Sequence, residues 1–107
     1  MALAAVCLPA FTAAAASVDT AKLGELRSLA AEAAAVETAH SRGRVTARYA
    51  DGQREDIRRD VRKLVSDPVL RPRAEEVLAA LDRRDAAALA RSRDQLVAME
   101  RTHGRTV

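Results

Sequence analysis

Six arginines in the centre of the chain, Arg42, Arg44, Arg48, Arg54, Arg58 and Arg62, are the residues whose type and spacing come closest to a chemistry. A guanidinium is planar, permanently charged and forked, so it can hold two phosphate oxygens at once. These six are therefore the candidate anion-binding residues. The last three recur every four positions, which places them in one row of a helix. Residues 41–65 carry eight basic groups, seven of them arginine, against four acidic ones. Residues 17–40 carry two and four, and residues 66–107 carry eight and seven, so the net charge of +3 is concentrated in the middle of the chain. The plainer expectation for such a segment is a solvated helix laced with ion pairs, for which Glu55 and Arg59 at i,i+4 and Asp56 and Asp60 before Arg59 and Lys63 are well spaced. No helix-turn-helix or other base-reading module accompanies the arginines.

Other reactive residue types occur without the company that catalysis needs. His40 and His103 each fall near a predicted helix end, where positive charge complements the dipole, and neither has a His-x-x-x-His partner or a carboxylate cluster for a metal. Serines and threonines lie outside any Gly-x-Ser-x-Gly turn, and the four glycines form no phosphate loop. Asp51-Gly52 lacks the alternating acids of a calcium loop. Glu75 and Glu76 are neighbours on a helix, about 100° apart, and do not face each other as an acid–base pair must. The expectation is no enzyme, with no catalytic, cofactor-binding or metal-binding residue and no cofactor.

The elements that must position these residues read as helices. From Asp19 to His40, Leu23, Leu26, Ala30 and Ala33 share a face, with Asp19 or Thr20 placed to cap. Signals stop at Ser41-Arg42-Gly43. Val45, Ala47 and Tyr49 then alternate with Arg44, Thr46 and Arg48 up to the turn pair Asp51-Gly52, which predicts an extended connector over 44–50, or a strand if two copies pair across a two-fold axis. A second helix is expected from about Gln53 to Val65 on the stripe Ile57, Val61, Leu64 and Val65, ending at Ser66-Asp67-Pro68. Pro72 opens a third, with Ala74, Val77, Leu78 and Leu81 inward. A tight turn between Asp82 and Asp85, either of which can serve as the next N-cap, leads to the fourth, carrying Leu89, Leu96, Val97 and Met99 and capped near Gly104. The fold class is all-α: a small antiparallel bundle of about four helices, with an N-terminal signal segment and one extended connector.

That signal segment is residues 1–16. Met1 to Val18 contains no charged side chain; Leu3, Val6, Leu8 and Phe11 supply an apolar stretch, and Ala14-Ala15-Ala16 offers the small-x-small pattern of a peptidase site. Cleavage is expected between Ala16 and Ser17, leaving one helical domain over 17–107. A basic n-region is missing from this pattern. A retained membrane span would need about 20 apolar residues, more than this Pro9-interrupted stretch offers, and a buried helix of a cytoplasmic protein would want a polar face. Cys7, the only cysteine, lies inside the segment and follows Val6 rather than the small residue of a lipid-modified cysteine. Residues 17–107 therefore hold no disulfide or thiolate metal site. The chain reads as a small periplasmic or secreted protein, the alternative being cytoplasmic. Its expected partner is another envelope protein or a second copy in a homodimer, with a nucleic acid, lipopolysaccharide or anionic lipid on the six arginines as the alternative, and with no transmembrane span after cleavage.

Overall fold

The computed structural model describes residues 17–104, which form four helices: α1 (Thr20–Ser41), α2 (Ala47–Leu64), α3 (Arg71–Asp82) and α4 (Ala86–Gly104). The signal segment, Met1–Ala16, lies outside the described residues. No strand occurs among those that are described.

Contacts between side chains on different helices set the directions. Arg27, early in α1, bonds Glu100, late in α4; Glu37, late in α1, bonds Arg54 of α2; Arg58 of α2 bonds Asp82 at the end of α3; and Arg73, early in α3, bonds Gln95 of α4. Each neighbouring pair is thus antiparallel, and α4 returns to α1 to close the ring, as short connections favour. The largest of these interfaces joins α1 to α4.

Start signals explain where the helices begin. Asp19 Oδ1 accepts from the Ala21 and Lys22 amides, both at 3.1 Å, and Val18 packs on the core just before the cap while Leu23 is buried four positions after it. Thr46 and α2 repeat the scheme: its hydroxyl accepts from the Tyr49 amide at 3.1 Å, with Val45 and Ala50 on the core at the equivalent places. This corrects the expected connector. Val45, Ala47 and Tyr49 do not alternate as a strand, because the cap at Thr46 starts the helix at Ala47; the connection is only Arg42–Thr46, and Asp51-Gly52 sits inside α2. Of the two residues placed to cap α4, Asp82 and Asp85, it is Asp85 that does so, accepting from the Ala88 amide at 2.9 Å.

The core runs along the bundle axis and is built from leucine, valine and alanine. Leu23, Leu26, Ala30 and Ala33 of α1 meet Ala50, Ile57 and Val61 of α2, Ala74, Val77 and Leu81 of α3, and Leu89 and Leu96 of α4. Leu70 also reaches the core from the α2–α3 connection, where Asp67 Oδ1 accepts from the Val69 and Leu70 amides. Each fully buried leucine contributes roughly 1.5–3 kcal/mol.

Candidate functional site

Five residues of the core stripe on α2 are spaced four and three apart: Ala50, Arg54, Ile57, Val61 and Leu64. Arg54 therefore points inward. On α1 the stripe Leu23, Leu26, Ala30, Ala33 continues three and four apart to Glu37 and then His40, so Glu37 points inward from the other side. The two meet as a bidentate pair between Arg54 Nε and Nη2 and the Glu37 carboxylate, the latter contact at 2.9 Å, with both side chains 3–4% exposed. Arg54 Nη1 donates to Asp51 Oδ1 at 2.7 Å, and Nη2 meets His40 Nδ1 at 2.8 Å. A guanidinium has only donors, so Nδ1 accepts and the His40 ring proton sits on Nε2. The hydrogen bonds that the Glu37 carboxylate accepts raise the Arg54 pKa above its ordinary value, against the opposing cost of burial. Among the described residues no buried side-chain nitrogen or oxygen lacks a partner.

The six candidate arginines are consequently not one site. Arg54 is consumed by this buried group and offers nothing to an external anion. Arg58 spans the α2–α3 seam, its Nη2 on Asp82 at 3.0 Å and its Nη1 on Glu55 at 3.3 Å. Arg62 is exposed toward the end of α2. Arg42 and Arg44 lie on the α1–α2 connection and Arg48 in the first turn of α2; these three are exposed and form no ion pair among the described residues. Tyr49, beside them, is 53% exposed, the one large apolar side chain so displayed among the described residues. The Arg59 contact to Asp56 and the Lys63 contact to Asp60 are the surface lacing that their spacing predicts, whereas Glu55 pairs with Arg58 in place of the expected Arg59, which reaches its neighbour Asp60 at 3.7 Å.

Arg42 and Arg44 take part in a second feature that residue spacing along the sequence did not disclose. A groove of about 330 Å³ runs along the α1–α4 seam, floored by alanines of both helices and bordered by Arg42, Arg44 and Arg93. The connection that carries the first two is fixed: Gly43 adopts φ +69°, its amide bonds the His40 carbonyl at 3.0 Å and the Arg44 amide bonds the Ala39 carbonyl at 2.8 Å, a left-handed helix cap. Apart from Thr38, the groove offers no hydroxyl, thiol, imidazole or carboxylate side chain, so it can hold a ligand but presents no acid–base pair. Among the described residues no group of three or more His, Cys, Asp or Glu is placed to hold a metal, and no helix is long and apolar enough to cross a membrane. Comparison with known protein families, curated proteins and solved structures finds no match for this chain.

Proposed function

We propose that this chain is a small exported helical protein that acts by binding another protein, without catalysis. The observation that carries the reading is what the bundle leaves displayed. Its buried charges, Glu37 and Arg54, satisfy each other, whereas Arg42, Arg44, Arg48 and Tyr49 stand exposed and uncommitted where α1 turns into α2. Arginine and tyrosine are the side chains that protein interfaces concentrate, because each combines a large contact area with directional hydrogen bonding. The uncharged, alanine-ended N-terminus supports an envelope or extracellular location.

A second reading, binding of a polyanion such as nucleic acid, lipopolysaccharide or anionic lipid, is favoured by the same unpaired arginines. It rests on Arg42, Arg44, Arg48 and Arg62, since Arg54 is buried and Arg58 is paired. Four phosphate contacts would give a slope of about −3.6 for log affinity against log salt on duplex DNA, rather than about −5.4 for six. The test is to crosslink the tagged full-length chain in cells, purify the captured protein, and titrate it into the free chain while following thermal unfolding. A partner-dependent rise in melting temperature that survives moderate salt supports protein binding. Affinity only for duplex DNA or anionic vesicles, collapsing with salt at the four-contact slope, replaces it with the second reading.

A further inference from the structure

The α1–α4 groove indicates what kind of partner the protein takes. Ala31, Ala35 and Ala39 stand on successive turns of α1, facing Ala86 and Ala90 of α4. Rows four residues apart are the ridges by which helices pack, and methyl side chains lower the ridge into a trough about 12 Å long. A trough of that length accommodates two or three large apolar side chains from one face of another helix. The trough is bordered by positive charge. Arg42 and Arg44 lie just past the end of α1 and have no ion pair among the described residues, and Arg93 on α4 pairs only with its chain neighbour Asp94, at 2.9 Å. No acidic residue lines the groove.

We infer that this groove seats an acidic amphipathic helix of a partner protein, its apolar face in the alanine trough and its carboxylates on Arg42, Arg44 and Arg93. A purely apolar occupant would take water from the three guanidiniums and return nothing for it. A second copy docked groove to groove on a two-fold axis would set basic border against basic border, which like-charge repulsion opposes. A single-stranded nucleic acid would find alanine where its bases need aromatic faces. The inference rests on the protein-binding reading and adds the site and the chemistry of the occupant.

The test presents the full-length chain with a displayed library of helical peptides about four turns long. Selected peptides should carry apolar residues at i, i+4 and i+7 flanked by Asp or Glu, and their lysine-substituted versions should bind at least tenfold more weakly. Ala35→Leu, an exposed position whose larger side chain fills the trough, should weaken binding at least tenfold with an unchanged melting temperature. The double variant Arg42→Glu, Arg44→Glu should lose the acidic peptides and gain the lysine versions, a reversal that unfolding cannot mimic. Selected peptides that bind both variants as tightly as the parent overturn the groove assignment and leave protein binding standing. Failure to select any peptide, with duplex DNA or anionic vesicles bound instead, overturns both.

Discussion

Where α1 and α2 would each place another alanine or leucine on the bundle axis, the chain has Glu37 and Arg54. Isolated, either charge would cost several kcal/mol to bury; together, with Asp51 and His40 each taking a further N–H of the guanidinium, they are tolerated. Removing one partner leaves the other charge stranded, so Glu37→Ala or Arg54→Ala should each destabilise by about 3–5 kcal/mol, whereas the double change Glu37→Leu, Arg54→Met should restore parent stability or exceed it. Denaturant unfolding of the four proteins measures this, and single-variant losses below about 1 kcal/mol would refute the buried pair. The raised Arg54 pKa adds a pH sign: its stabilisation is complete below the ordinary arginine value and is lost only as pH rises through the still higher folded value, so neutral and moderately alkaline solutions should not weaken it. The pair was legible in the sequence, as opposite charges at stripe positions of two adjacent helices. Grouping Arg54 with Arg58 and Arg62 by their four-residue spacing hid it, because that row crosses from the buried face of the helix to its exposed side.

At the scale of elements, the starts of α1, α3 and α4 follow local chemistry that the sequence displays: Asp19, Pro72 and Asp85 stand where caps and first-turn prolines belong. The start of α2 is masked in the sequence, because Asp51-Gly52 resembles a turn and the apolar residues before it alternate. Packing overrode both signals, since beginning at Thr46 buries Ala50 and aligns Asp51 with Arg54. Gly52 then pays a helix penalty for no gain in space, as nothing lies within 4 Å of where its Cβ would stand. Gly52→Ala should therefore stabilise by about 0.5–1 kcal/mol. Gly43→Ala should do the reverse by about 1 kcal/mol, since φ +69° strains any side chain. Arg84, at φ +55°, holds the equivalent place after α3, with the Arg84 and Asp85 amides on the Leu81 and Ala80 carbonyls, both at 3.0 Å. Its only ion pair among the described residues is a 3.8 Å exposed contact to Asp51, so Arg84→Gly should raise the melting temperature by a few degrees. Calorimetric scans of the three variants separate these signs.

For the whole molecule, the all-helical antiparallel bundle of the described residues follows from apolar periodicity and short connections. The α1–α4 groove was not legible, because the alanines that floor it belong to two helices whose mutual rotation only the packed core determines. The proposed function rests on the displayed surface and on the N-terminal segment read as an export signal, and under that proposal the address decides which proteins the groove meets. The measurement that bears on it most directly is to express the full-length chain with a C-terminal tag in a Gram-negative host, fractionate the cells, and weigh the intact product. A periplasmic species beginning at Ser17 is the expected result. An uncleaved product confined to the cytoplasm would contradict it.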